Sequence, residues 1–395
     1  MYVAKVKLED VRGFHDARKV DLDLSRPDGD HAGWTVVTGP TGSGRSTFLR
    51  AIALAIAGPA EAPALAGEPE TWVAQGKSRG GIEVDLVAGP DDQFARGFTP
   101  ADGDKVLADL VLTPDGITAE SNVGRNGPWK DNGTGWFCAA YGPYRRLTTR
   151  QGPKGKFAGL FEPELAVFPQ AVPIALREKA LAFVNDGLVP SQFTARWEGE
   201  ELWIGQAPIR ALGDGDKSLI ALVLDLLRLL GGEAQTRTGV VLIDEVEAHL
   251  HLAWQQWIGG WLTRHFPRLQ FIVSTNSPYV CQSADPRGLI LLPPADAEMP
   301  AQVVEGDLYE RVVHGSAEDV ALSELFGLDS SYPPRARRLR QELVELEIKV
   351  LDGEADEVQR ARYAELQELL VSSPAARASE IAARLQKDKA RRGRP

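Results

Sequence analysis

One stretch limits this chain more than any other. Gly39-Pro40-Thr41-Gly42-Ser43-Gly44-Arg45-Ser46 places three glycines, a cation and a hydroxyl between the β-branched run Trp34–Thr38 and an apolar helical face over Ser46–Ile56. Glycines leave backbone N–H groups bare enough to wrap an anion, and the N-terminus of the following helix adds unpaired donors of its own. A strand, this turn and a helix in that order make the phosphate cradle G-x-x-x-x-G-[K]-[ST], with Arg45 where lysine is usual and Ser46 offering its hydroxyl to Mg²⁺. Gly39 to Thr47 are therefore the expected phosphate-binding residues. Arg45 keeps a permanent charge on a longer, planar fork than an ammonium, so ATP binding is expected to survive better than hydrolysis. Taken alone, the segment also reads as a glycine turn without a ligand.

A second segment bears on that choice. Val240-Val241-Leu242-Ile243-Asp244-Glu245 is four apolar β-formers ending in two carboxylates. Burying such a strand holds the acids rigidly at its end, where Asp244 can complete a Mg²⁺ shell with Ser46 and Glu245 can polarise an attacking water. Acids that merely cap a following helix are the competing reading. Between the two motifs, Leu212-Gly213-Asp214-Gly215-Asp216-Lys217-Ser218 opens an apolar helix running to Leu230. A plain N-cap by Asp214 or Asp216 and a metal loop are its alternatives, but the residues that follow supply no further ligands. Downstream lie Val246-Glu247-Ala248-His249-Leu250-His251 and Phe271 to Pro278. His249 and His251 have no third ligand nearby and read as polar contacts at a subunit interface.

Length and composition set the frame. At about 100–200 residues per domain, 395 residues allow two or three domains. With 43% hydrophobic and 25% charged residues the chain is neither disordered nor fibrous. The net charge of −11 argues against an indiscriminate DNA coat, though not against a local basic groove. Arg145, Arg146, Arg150, Lys154 and Lys156 lie in such a cluster, with no acid among residues 144–156, and are candidate nucleic-acid contacts. A solvated loop, or one ordered around nucleotide, is the alternative. Two cysteines are too few for a disulfide framework. Residues 1–10 alternate like a strand rather than a signal peptide, and the apolar run Ser218–Leu230 falls short of the roughly 20 residues that span a bilayer. A cytoplasmic protein without membrane segments is expected.

The pattern predicts an ATPase domain over residues 1–300, with an antiparallel β region at about 80–142 and a helical insertion at about 157–187. A helical region follows over 301–395, ending in a basic tail. In it Leu339, Leu343, Leu346 and Val350 form a heptad seam that breaks at Asp352-Gly353 and resumes at Val358, Leu366 and Leu370, predicting a helical hairpin.

Together with Leu8–Phe14 and Tyr141-Gly142-Pro143-Tyr144-Arg145, these motifs cover roughly residues 1–290 and resemble the SMC/RecF-type ABC ATPases without long coiled coils. Septu-type and retron-associated phage-defence ATPases, and the ATPase half of overcoming-lysogenization-defect nucleases, are of this kind. The resemblance implies an α/β P-loop NTPase with a mixed sheet, an antiparallel β lobe and a C-terminal helical extension. It implies ATP and Mg²⁺ as cofactors, with Ser46 and Asp244 as metal ligands and Glu245, Asn276 and Arg45 in catalysis. It also implies a head-to-tail homodimer or higher oligomer in which the signature turn Gly213, Asp214 and Gly215 faces the partner's P-loop, acting beside a partner nuclease of HNH type. Arg45 replaces lysine, Gly213 replaces the usual serine and Asn276 replaces a common histidine, so slow turnover is expected. The competing functions are a repair ATPase acting directly on DNA, a transporter's ATP subunit, and a self-contained nuclease. The last needs a strand-borne DxD that the helical residues beyond 300 do not offer.

Overall fold

The computed structural model describes residues 1–26, 33–90, 92, 101–119, 136–148, 156–162, 167–169 and 172–370. Five short runs of β-branched and apolar residues form one parallel stack: β3 (Trp34–Thr38), β7 (Phe137–Tyr141), β13 (Gly239–Ile243), β14 (Leu269–Ser274) and β15 (Leu289–Leu291), in the order β15-β3-β14-β13-β7. The edge strand β16 (Gln302–Val303) pairs antiparallel with β15. These strands read as continuous apolar runs because both faces of the sheet are covered. Val36, Val241, Ile243, Phe271 and Val273 pack under α4 (Asp214–Leu230) and α5 (Leu252–His265). Val37, Val240, Leu242 and Ile272 pack under α1 (Arg45–Ala66).

On the α1 side lies an antiparallel sheet, β2-β1-β4-β5-β6, made of β1 (Tyr2–Glu9), β2 (Val20–Asp23), β4 (Gly80–Val87), β5 (Lys105–Thr113) and β6 (Gly116–Thr118). β1 and β4 largely alternate buried residues with more accessible ones, the pattern of a sheet with one face in the core. The expected antiparallel region at 80–142 is correct for β4 to β6 but not for β7. That strand runs parallel to β13, with Tyr141 opposite Ile243, because all five of its side chains are buried and only a doubly covered position accepts them. The expected helical insertion at 157–187 is likewise mixed. The short α2 (Ala158–Phe161) and α3 (Arg177–Phe183) are helical, but β9 (Val167–Pro169) pairs in parallel with β8 (Arg146–Thr148). A meander of β10 (Ala195–Glu198), β11 (Glu201–Ile204) and β12 (Ala207–Pro208) precedes α4, turning at Gly199 with φ +63°.

Helix α1 is long and apolar enough, by length and composition, to cross a membrane. It is interrupted at Gly58 (φ +80°, ψ 174°), ahead of Pro59, and its residues Phe48, Leu49 and Ala51 to Ile56 are buried in the core. The compact unit that holds all of these elements runs from Met1 to Gly327 and includes α6 (Pro278–Cys281), α7 (Gly306–His314) and α8 (Ala317–Leu322).

A second unit starts at Leu328. In it α9 (Pro334–Leu351) and α10 (Glu357–Leu369) form a hairpin around Leu343, Leu346 and Leu366, tied by Arg362 to Glu342 at 2.8 Å. The turn at Asp352-Gly353 is where the sequence places it, with Gly353 at φ +75°. The seam does not resume at Val358, which is 78% exposed; Ala355 and Tyr363 pack inward instead. The basic tail beyond 370 lies outside the described residues.

Phe271 is fully buried in β14, 5.8 Å from the Trp34 ring and 6.4 Å from that of Phe266. Phe271→Ala should lower stability by about 3–5 kcal/mol, read as a shift of the denaturant midpoint.

Candidate functional site: the carboxyl edge of the parallel sheet

Three of the chemical motifs in the sequence leave the same edge of the parallel sheet. β3 ends at Thr38 and passes into Gly39, β13 ends at Ile243 and passes into Asp244, and β14 ends at Ser274 and passes into Thr275-Asn276. Parallel registry makes this unavoidable. Ile243 sits opposite Val273, and Ser274 opposite Val37, so the residues that follow them are neighbours. In open α/β sheets ligands bind at this edge.

The glycines of the turn are required by its shape. Gly39, Gly42 and Gly44 have φ of +150°, +84° and +102°. A Cβ on Gly39 would lie 2.3 Å from the Leu292 carbonyl oxygen, and one on Gly44 would lie 2.7 Å from Cζ of Phe14. At Gly42 nothing lies within 4 Å, so that face of the loop is open. Phe14, buried beneath Gly44, belongs to the Leu8–Phe14 motif. Arg18, which the sequence did not single out, fastens the loop from behind. Its guanidinium donates to the carbonyls of Gly13 at 2.5 Å, Ser43 at 3.0 Å and Pro293 at 3.1 Å. Arg45 starts α1 and folds back onto the carbonyls of Gly39 and Pro40.

The two acids are held by one hydroxyl. Ser274 Oγ donates to Asp244 Oδ1 at 2.5 Å and accepts the Glu245 backbone N–H at 2.8 Å. Asp244 is buried; its backbone N–H also bonds the Tyr141 carbonyl at 2.8 Å. Glu245 is half-buried in a left-handed conformation, φ +47°, uncommon for a residue with a side chain. Burial pushes its carboxyl above the ordinary range, and the charges of Asp244 and Glu247 push the same way, against Arg45 and Arg145. Glu247 was expected only as part of the segment after the acids. It accepts the Thr275 hydroxyl at 2.7 Å and the Asn276 N–H at 2.6 Å, fixing the segment that presents the exposed Asn276.

The signature turn is at the same edge. Gly213, at the N-cap of α4, and Asp214 are exposed, and Lys217 pairs with Asp214 at 2.8 Å. Gly215 packs so closely on the segment after the acids that a Cβ would lie 2.3 Å from the His249 carbonyl oxygen. The His249 ring lies tilted against that of Tyr144, centroids 6.0 Å apart, and His251 caps α5 by accepting the Ala253 N–H at 3.2 Å.

The basic cluster is corrected at its first member. Arg145 is 4% exposed and cannot face nucleic acid: it donates to Ser218 and to the carbonyls of Gly142, Val246 and Ala248. Burial pulls its pKa down to about 10, with Glu247, Asp244 and Glu245 opposing, so it stays charged at neutral pH. Arg146 is exposed over the Tyr144 ring at 5.3 Å, and Lys156 is exposed. Arg150 and Lys154 lie outside the described residues.

The cradle fits a nucleotide's phosphates: three glycines hold positive φ where the loop curves, two of them with no room for a side chain, and Ser43 Oγ is buried inside the turn without a partner among the described residues. Ser46 and Asp244 are hard oxygen donors of the kind Mg²⁺ selects.

The fold is that of an ABC-type P-loop ATPase. Comparison with known proteins agrees. Residues 5–122 match a family profile described as "AAA domain", and residues 180–282 one described as "AAA domain, putative AbiEii toxin, Type IV TA system". The chain is 41% identical over 87 residues to the "Retron Ec83 probable ATPase" of Escherichia coli, a match covering 20% of this chain and 16% of that protein. It is 24% identical over 352 residues to the Septu protein PtuA of Bacillus mycoides, covering 82% of this chain and 45% of the relative. The chain thus spans less than half the length of these curated relatives. The head domain of an SMC protein, solved bound to the C-terminal winged-helix domain of ScpA, superposes with a TM-score of 0.50 at 19% identity, over 77% of this chain and 98% of that one. The fold is that of the SMC/RecF-like ATPases, and in sequence the chain is related to proteins named as retron and Septu defence ATPases.

Two measurements test the site. Gly44→Ala adds a clash with Phe14 to an unfavourable φ and should cost about 2–4 kcal/mol, whereas Gly42→Ala, with open space around it, should cost only about 1–2 kcal/mol; paired urea titrations read the difference. For Glu245, a raised carboxyl pKa means that the folded state binds the proton more tightly, so stability falls as pH rises from the unfolded pKa through the folded one. Glu245→Gln should therefore melt above the wild type at pH 7 in nucleotide- and metal-free protein, and the gain should vanish in acid.

Proposed function

We propose that this chain is an ATP-gated subunit of a bacterial antiviral defence system, closing as a dimer around ATP and Mg²⁺ and thereby regulating a partner nuclease. The observation that carries the reading is the convergence at one sheet edge of the phosphate cradle, the Ser274-held acids and an exposed signature turn packed on His249. In the dimer, the exposed Gly213 and Asp214 of one subunit, with the partly buried Gly215 beside them, complete the cradle of the other subunit. Gly39 to Thr47 hold the phosphates, Ser46 and Asp244 hold Mg²⁺, and bound metal neutralises charge on the transferred phosphoryl group. Glu245, its carboxyl raised by burial, orients and polarises the attacking water, and Asn276 offers an uncharged amide toward the phosphate.

Turnover in this reading is slow. Arg45 has to leave the carbonyls of Gly39 and Pro40 before it can meet a phosphate, and its fork reaches further than an ammonium would. The names of the retron and Septu relatives support a defence setting, and an HNH nuclease is the partner we expect. A repair ATPase working directly on DNA is the second reading, favoured by the exposed Arg146 beside Tyr144.

The test is solution mass with and without Mg²⁺-ATP, for the wild type and for Glu245→Gln. ATP should convert Glu245→Gln from monomer to a long-lived dimer while abolishing phosphate release. Failure of both proteins to associate removes the dimer reading, whereas a wild-type turnover above about 10 per second, the median for enzymes, removes only the claim of slowness.

A further inference from the structure

Arg145 is the most completely enclosed cation of the site region, and its contacts have a pattern. Nε donates to Ser218 Oγ at 3.0 Å, Nη1 to the Gly142 carbonyl at 3.0 Å, and Nη2 to the carbonyls of Val246 and Ala248 at 3.2 and 3.4 Å. These acceptors lie on three separate segments: the turn after β7, the first turns of α4, and the loop after the catalytic acids. None of them is a carboxylate, although Glu247, Asp244 and Glu245 all act on Arg145 electrostatically. A guanidinium held by carbonyls serves geometry, because its planar fork fixes the direction of each donor.

What it fixes is a strained surface. The loop after the acids has φ of +47° at Glu245 and +68° at His249, with the Val246 and Ala248 carbonyls between them turned onto Arg145. Gly215 of the signature turn lies directly on His249, where even a methyl group would collide. Ser218, one helical turn further on, is 2% exposed and anchored to the same guanidinium. Signature helix and loop are thus joined twice within one subunit, by the Gly215–His249 packing and by Arg145.

We propose that Arg145 is a positioning residue for hydrolysis at the partner's nucleotide. It makes the signature helix and the loop Val246–Ala248 a single rigid block, and that block is what one subunit presents to the ATP bound by the other. The inference rests on the dimer reading above and adds a direction to it: Arg145 acts across the interface, while Glu245 acts within its own site.

Mixing two inactive variants of the chain tests this. Arg145→Lys keeps the charge but a point-like ammonium cannot span three segments, and we expect its ATPase rate to fall at least about 30-fold while its affinity for a fluorescent ATP analogue stays within about threefold of wild type. Glu245→Gln should be equally inactive. In a mixed dimer one site combines the intact cradle and Glu245 of the Arg145→Lys subunit with the intact block of the other. Random pairing makes half the dimers mixed, each with one working site of two, so an equimolar mixture should regain about a quarter of the wild-type rate. A mixture that forms ATP-dependent dimers without regaining activity overturns the proposal and leaves the dimer reading standing. A mixture that stays monomeric removes both. If Arg145→Lys does not fold, Ser218→Ala, which removes only the Nε acceptor, replaces it and should give a weaker loss with the same recovery on mixing; loss of melting temperature and nucleotide affinity together, without recovery, would mark a merely structural role.

Discussion

The site depends on one hydroxyl placed by strand registry. Because β13 and β14 run parallel with Ile243 opposite Val273, Ser274 arrives beside the first two residues beyond β13. A serine has one proton to give and lone pairs to accept with, and here it uses both: the proton goes to Asp244 and a lone pair takes the Glu245 N–H. The same contact that orients the acid assigned to metal also holds the backbone of the acid assigned to water in its left-handed turn. Sliding β14 by one residue would break both bonds and would send Phe271 to the opposite face of the sheet.

Around that point the protein uses arginine as internal scaffolding. Arg18 and Arg145 are each buried, each bonded mainly to backbone carbonyls, and each bridges segments that are distant in sequence. Arg18 secures the phosphate loop, and Arg145 secures the loop after the acids. The two working halves of the edge are thus stiffened from below by cations of the same sign as those expected to meet phosphate.

Much of the fold could be read in the sequence because it follows from periodicity. Continuous apolar runs at Trp34, Val240 and Phe271 announced strands covered on both faces, and the alternating residues after Tyr2 announced a sheet with one face in the core. The glycines of the phosphate loop were legible for the same reason, since each is needed by a backbone torsion or a close approach. What escaped depended on partners far along the chain. The strand Phe137–Tyr141 resembled its antiparallel predecessors until its pairing with Val241 and its neighbours was known. Arg145 counted as one cation in a basic run, because a charge count treats every member as solvated. Only its contacts with Ser218 and Val246, 73 and 101 residues away, remove it from the surface. Glu247 stood third in an acidic group whose first two members had obvious tasks, and nothing local reveals that it faces Thr275.

The two thiols have a practical consequence. Cys138 in β7 and Cys281 in α6 are both buried and unpaired, and burial pushes each pKa up to about 12. Thiolate is the reactive form, so at neutral pH neither side chain should be alkylated or oxidised while the protein is folded. The native chain therefore behaves toward maleimides and cross-linkers as if it had no cysteine. A cysteine placed on an exposed position such as Asp214 or Asn276 would be the one that reports.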